Sequence, residues 1–239
     1  IIEAKEKETH EQNELISHQN KQVEQQNVLL EHKQKEILDS ISYAKRLQDA
    51  ILPSKSVIDN VFPQNFILYK PKDIVAGDFY WSETVNNRFY IAAADSTGHG
   101  VPGAMVSVVC SNALNRAVKE FGLIETGEIL DKTRELVIET FAKNNAEVKD
   151  GMDISLLCID QENKKISWTG ANNPLWYLKS GELKEIKPNK QPIGKTENPA
   201  PFTTHHLDFE TDTTFYLFLS ESLIVLANCL HECSCLLWA

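Results

Sequence analysis

Apolar residues recur at every seventh position along the first fifty residues. Ile2, Ile16, Val23, Leu30, Ile37, Ala44 and Ile51 lie on one row, and only Thr9 breaks it. Such a row is one seam of a heptad repeat. The companion row three residues on is Gln12, Gln19, Gln26, Lys33, Ser40 and Leu47, polar until its end. Leu15 and Leu29 add apolar width on the other flank. Residues 1–52 contain no Gly and no Pro, which favours a continuous helix. A half-polar seam predicts a weak, rearrangeable coiled coil that pairs two copies of the chain. The alternative is a solvated single helix, ordered only near the domain that follows. Pro53 should end the helix, because it pushes Leu52 out of the α region.

From Asn65 the period changes. Residues 66–69, 77–81 and 88–94 read as strands, with Asn86-Asn87 as a hairpin turn between the last two. Residues 102–121 and 126–143 read as helices, with Pro102 suited to a first helical position. Ala104, Val108, Ala113 and Ala117 are the expected buried face of the first, and Leu130, Val137 and Phe141 that of the second. Strands resume at 152–159, 165–170, 174–178 and 183–186, and a last pair is expected at 203–209 and 213–219. The order of strands, two helices and then many strands predicts an α+β fold. Its antiparallel sheets are built from hairpins, with helices packed outside. Three segments result: a signalling helix over 1–52, a domain over 53–218 and a divergent tail over 219–239.

Composition narrows the function. The net charge of −10 argues against nucleic acid or an anionic membrane as partner, since both require a surplus of Lys and Arg. It is compatible with divalent cations, which take carboxylate ligands. No apolar run approaches the length needed to cross a bilayer, so any membrane or sensor part is expected upstream of Ile1. No signal peptide is visible, and the expected compartment is the cytoplasm. Cys110 and Cys158 sit in apolar patterns and read as reduced core thiols.

Two carboxylates stand out by context. Asp78 lies in Val75-Ala76-Gly77-Asp78-Phe79-Tyr80. Asp95 ends an apolar strand and opens Asp95-Ser96-Thr97-Gly98-His99-Gly100-Val101-Pro102-Gly103. A hairpin between their strands would bring both side chains to one end of a sheet. There they can share hard cations such as Mg²⁺ or Mn²⁺. The glycines allow close backbone approach, and the following helix N-terminus favours an anionic phosphate. Water activated by the cations is then the nucleophile, and no serine or cysteine is required. His99 is either a proton donor to the leaving oxygen or a solvent-facing loop histidine. Asp153 either serves an accessory ion or caps a strand. Lys72 is a weak phosphate candidate, and His205-His206 read as surface residues of an alternating strand.

Together these stretches resemble the paired signature of SpoIIE-type PPM serine/threonine phosphatases. Ala44-Lys45-Arg46-Leu47-Gln48-Asp49-Ala50-Ile51-Leu52-Pro53 is similar to the regulatory helix leading into those domains. Gly151-Met152-Asp153-Ile154-Ser155, Gly170-Ala171-Asn172-Asn173-Pro174 and Gln191-Pro192-Ile193-Gly194 match later landmarks. The resemblance runs from about residue 40 to 218. It implies two stacked antiparallel β-sheets flanked by helices, and two Mg²⁺ or Mn²⁺ ions. It also implies a phosphorylated regulatory protein of bacterial signalling as substrate. Asp78 and Asp95 are the implied metal ligands, with Asp95 bridging two ions and the Ser96 backbone carbonyl as a further ligand.

The chain departs from the family after Phe218, where a small polar residue and Asp-Gly are expected. That Asp is a core metal ligand in the family. Here Leu219-Ser220-Glu221-Ser222-Leu223-Ile224-Val225 follows, and no Asp occurs beyond Asp212. Glu221 is the candidate substitute, displaced by about one residue. Cys229, His231, Cys233 and Cys235 are spaced too tightly for an ordinary zinc knuckle, and the break in composition reads better as translation out of frame. The loss of that core-ligand Asp is expected to leave the chain inactive or nearly so as a phosphatase, and the loss of terminal strands to leave sheet edges unpaired. The competing reading is therefore a non-catalytic dimeric signalling or scaffold module. A nucleotide cyclase or kinase is disfavoured, because neither a P-loop nor a kinase-type catalytic loop is present.

Overall fold

The computed structural model describes residues 2–142, 150–208, 213–219 and 222–228. It divides into two compact units, Ile1–Ala44 and Lys45–Ala239.

The first unit is a single helix, the larger part of α1 (Ile2–Asp49). Its helical propensity comes from Glu, Gln and Lys, and ion pairs such as Lys33–Glu36 add local support. Ile16, Val23, Leu30 and Ile37 are each more than half exposed along it. The predicted row is therefore an exposed apolar stripe along this helix.

The second unit begins with the last turn of α1 and a short helix that the periodicity missed, α2 (Lys55–Val61). Its elements then run β1 (Gln64–Tyr69), β2 (Phe79–Val85), β3 (Arg88–Ser96), α3 (Gly100–Lys119), α4 (Thr126–Ala142), β4 (Met152–Asp160), β5 (Lys165–Ala171), β6 (Leu175–Lys179), β7 (Glu182–Ile186), β8 (His205–Asp208), β9 (Thr213–Phe218) and β10 (Ser222–Asn228). Two five-stranded sheets form, in the orders β2-β3-β4-β5-β8 and β1-β10-β9-β6-β7. Every ladder within them is antiparallel. The Asn86-Asn87 turn has positive φ at both residues, the geometry that matches strand twist in a two-residue hairpin.

Period two divides the core into two layers. Phe79, Trp81, Tyr90, Ala92, Ala94, Ile154, Leu156 and Cys158 face α3 and α4. The alternate residues, Phe89, Ile91, Ala93, Leu157, Ile159, Ile166 and Trp168, pack against Leu175, Phe215, Leu217, Ile224 and Leu226 of the other sheet. The sheets are thus stacked face to face, as expected. Cys110 and Cys158 are free and buried, with burial pushing their thiols up to about 12 and about 11. They are inert protonated core residues.

Three expectations need correction. Pro102 is the third residue of α3, not the first, because the chain enters the helix at Gly100 from His99. Val108 is exposed. The buried stripe of α3 instead includes Ala104, Ser107, Ser111, Leu114 and Val118, which holds the 3.6-residue period from Ala104. The end of the domain is not a bare sheet edge. Ser222–Asn228 forms β10, which pairs with β1 on one side and β9 on the other. Ile224 and Leu226 belong to the core between the sheets, and Val225 is buried as well. Glu221 and the group Cys229, His231, Cys233 and Cys235 lie outside the described residues.

Candidate metal and phosphate site

The hairpin register assembles the candidate site. In the β2–β3 ladder Phe79 lies opposite Ala94, so Asp78 enters the sheet across from Asp95. In the β3–β4 ladder Asp95 lies directly opposite Asp153. One row of aspartates therefore crosses three neighbouring strands at the same end of the sheet. The even-numbered neighbour Ala94 faces α3, so Asp95 shares the inter-sheet face of Ala93 and Ile91.

Each member of the row has its own surroundings. Asp78 is buried, and its backbone carbonyl accepts a hydrogen bond from the Tyr69 hydroxyl at 3.0 Å. Asp95 and Asp153 line a cavity of about 180 Å³ with Thr97, Gly151, Met152, Pro192 and Gly194. Burial holds the Asp153 carboxyl above the ordinary range. A hydrogen bond from Asn172 Nδ2 at 2.8 Å pulls it back down, the Asp95 charge raises it, and Lys190 lowers it. Two carboxylates forced together in a recess are a demand for positive charge.

The loop after Asp95 is fastened at several points. Ser96 Oγ donates to the carbonyls of Gly77 at 2.7 Å and Gly103 at 3.1 Å, tying β3 to the start of α3. Thr97 Oγ1 donates to Asp150 Oδ1 at 2.8 Å and accepts from the Gly151 amide at 3.2 Å. Gly77 lies so close to this loop that a Cβ there would stand 2.6 Å from the Gly98 carbonyl and 2.8 Å from the Ser96 carbonyl. Gly77→Ala is therefore expected to push the Ser96–Gly98 backbone away from Asp78. Overpacking of this kind costs about 1–3 kcal/mol in urea unfolding. An unchanged midpoint would show that the loop yields freely.

His99 lies at the N-cap of α3 with its side chain 90% exposed, and its Nδ1 is 3.3 Å from Asp73 Oδ2. The structure thus places it on the solvent side of the loop, paired with a carboxylate. Lys72 is exposed on the same preceding segment. His205 and His206 belong to edge strand β8, and His206 pairs with Glu125. Those two histidines lie at β8, which pairs with the Lys165 end of β5, whereas the aspartate row lies toward the Ala171 end.

The residues fit a hard divalent cation in their chemistry. They offer carboxylate oxygens, close-packed backbone carbonyls and a recess with an acid pair. The row is nevertheless open. Among the described residues, no group of three His, Cys, Asp or Glu side chains could hold a metal ion.

Three neighbours of the site carried no role in the sequence reading. Asp150 and Asn172 brace Thr97 and Asp153. Their signals, Asp-Gly before a strand and Asn-Asn after one, look like turn chemistry. The third is Gln48, in the last turn of α1 and 2% exposed. Its Nε2 donates to the Ala76 carbonyl and to Ser107 Oγ, and its Oε1 accepts from the Ala76 amide. It thereby clamps the residue two before Asp78 onto α3.

Comparison with known proteins agrees with this architecture. The family described as Stage II sporulation protein E (SpoIIE) matches residues 86–218. A search of curated proteins finds no significant match. Among solved structures, the SiaA-PP2C domain of Pseudomonas aeruginosa is 29% identical with a TM-score of 0.68, covering 77% of this chain and 72% of that one. The PP2C phosphatase domain of the cell fate determinant SpoIIE from Bacillus subtilis, with a fragment of its regulatory domain, is 14% identical with a TM-score of 0.52. It covers 64% of this chain and 44% of that one. The S. agalactiae serine/threonine phosphatase is 12% identical with a TM-score of 0.51, covering 69% and 99%. The last two likenesses concern the fold alone. Among the described residues no helix is long and apolar enough to cross a membrane. The chain belongs to the SpoIIE family, and its domain is a phosphatase domain of the PPM, or PP2C-like, type.

Proposed function

We propose that this domain hydrolyses phosphoserine and phosphothreonine on a regulatory protein, in a reaction that depends on Mg²⁺ or Mn²⁺. The observation that carries the reading is the pairing of Asp95 on β3 with Asp153 on β4, beside Asp78 immediately before β2. A bound divalent cation supplies charge neutralisation for the phosphoryl oxygens and lowers the pKa of attacking water. Asp78 and Asp95 would hold such ions, Asp95 as the shared ligand, with the Ser96 carbonyl as a further donor and Asp153 as an accessory carboxylate. The N-terminus of α3 adds backbone amides and partial positive charge where a phosphoryl group would approach. His99, whose Nδ1 lies 3.3 Å from Asp73 Oδ2, is the candidate to donate a proton to the leaving oxygen. Phosphoserine and phosphotyrosine peptides of one sequence, assayed with Mn²⁺, test the substrate class. Phosphate release from the first alone, abolished by EDTA and restored by Mn²⁺, is the expected result. Preference for phosphotyrosine would overturn it.

A second reading, a dimeric signalling module without catalysis, has its own observation in the open aspartate row. Both readings share a homodimer formed through α1, supported by the exposed stripe Ile16, Val23, Leu30 and Ile37. Two parallel helices would bury that stripe. Replacing Val23 and Leu30 by Ile should tighten the pair, since β-branched residues at this position favour two strands. Sedimentation equilibrium checks this, and a monomer at high concentration in both versions would refute the seam.

A further inference from the structure

Asp78 stands just before β2, outside the ladder that fixes its neighbours, since the β2–β3 register begins at Phe79 opposite Ala94. The backbone around it is held by side chains instead. Gln48 of α1 takes the amide and the carbonyl of Ala76. Ser96 of β3 donates to the carbonyl of Gly77. The Tyr69 hydroxyl of β1 donates to the carbonyl of Asp78 at 3.0 Å. Three consecutive residues are thus fastened by side chains from three different elements, and the Tyr69 bond is the one made to Asp78 itself. Tyr69 closes β1, an edge strand of the other sheet. Its bond therefore ties the two sheets together at the end that carries Asp78. The phenol ring is held by two neighbours. Tyr80 meets it edge-on with 5.6 Å between centroids, and Lys45 Nζ lies 5.6 Å from its centroid. That ammonium is itself paired with Asp49 at 2.7 Å. A ring so held presents its hydroxyl at one place.

We propose that Tyr69 is a positioning residue for the cation site, acting through the backbone of Asp78. The inference rests on the reading of Asp78 as a metal ligand and adds to it the group that aims that ligand. A peptide plane has two soft dihedrals at each Cα, and a held carbonyl removes the freedom of the plane that follows Asp78. Phe79 is locked in the ladder on one side, and the Gly77 carbonyl is held by Ser96 on the other. The Cα–Cβ bond of Asp78 then leaves the backbone in one direction. Without the Tyr69 hydroxyl, that constraint on the plane is gone. Groups behind a metal ligand that hold its orientation govern metal affinity by about 10–100-fold. Phenylalanine at position 69 keeps the ring and its contacts with Tyr80 and Lys45 and removes the oxygen alone.

Isothermal titration of the 239-residue chain with Mn²⁺, beside Tyr69→Phe and Tyr90→Phe, tests this. Tyr90→Phe is the control. It too removes a hydroxyl that donates to a backbone carbonyl, that of Ile124 at 3.3 Å. Tyr90 lies toward the other end of β3 from Asp95, so this bond is remote from the aspartates. Urea midpoints of the metal-free chains record what each loss does to folding. The expected result is Mn²⁺ affinity lowered about 10–100-fold in Tyr69→Phe and changed by less than about twofold in Tyr90→Phe, with both variants folded in the absence of urea. Parent-like affinity in Tyr69→Phe would overturn the proposal, and so would equal losses in the two variants. A Tyr69→Phe chain that is unfolded without urea would also overturn it, by assigning the hydroxyl to folding and not to the site. A parent chain that takes up no Mn²⁺ would strike the reading of Asp78 as a ligand and this inference with it, which keeps the two failures apart.

Discussion

Replacing Asp95 by asparagine is expected to weaken Mn²⁺ binding by at least about a thousandfold. Asp95 is the middle member of the aspartate row, with Asp78 across one ladder and Asp153 across the other. An amide in its place keeps the shape but removes a negative charge that would attract the cations. A metal site contributes several kcal/mol of charge stabilisation, and each 1.36 kcal/mol is about a factor of ten. Isothermal titration with Mn²⁺ measures the effect. Asp150→Asn is the control, because Asp150 braces Thr97 from outside the row and should cost about tenfold at most. Equal losses in the two variants would show that the row has no special standing.

The second large effect is expected at Gln48. Its side chain satisfies both backbone groups of Ala76 and the hydroxyl of Ser107 in a buried setting. Gln48→Leu fills a similar volume but leaves these groups without the amide. A buried polar group stripped of its partner costs about 1–3 kcal/mol. With several affected, the expected loss is roughly 2–4 kcal/mol, a fall of about 1–2 M in the urea midpoint. Mn²⁺ binding should weaken as well, because Ala76 leads directly into Gly77 and Asp78. A midpoint within about 0.2 M of the parent, close to the resolution of such curves, would mean that water replaces the amide without cost. That outcome would remove Gln48 from the architecture of the site.

Much of this was legible in the sequence. The apolar run of residues 89–94 located β3, and the apolar-to-acidic switch at Asp95 marked where that strand leaves the core. The Asn86-Asn87 turn set the hairpin and hence the pairing of Asp78 with Asp95. Gln48 was not legible in its role, because polar residues on a helix rich in Gln, Glu and Lys look solvated. Only the packing of the last turn of α1 against Ala76 and Ser107 distinguishes it. Residues 222–228 were obscured for a different reason. They depart from the family pattern, and that departure hides a continuous apolar run, Leu223 to Ala227, that already fits a buried strand. The pairing of Asp95 with Asp153 depended on the β3–β4 register. That register is set by packing over a long connection, and no local turn announces it.

The central claim is that paired carboxylates at the ends of these strands hold the cations for phosphoester hydrolysis. Phosphate release from a phosphoserine peptide by the 239-residue chain, followed across a Mn²⁺ series beside Asp95→Asn, tests it most directly. The account predicts release that saturates with Mn²⁺, slow because a carboxylate expected after Phe218 is missing, and absent in Asp95→Asn. Release indifferent to Mn²⁺ and to Asp95 would contradict it.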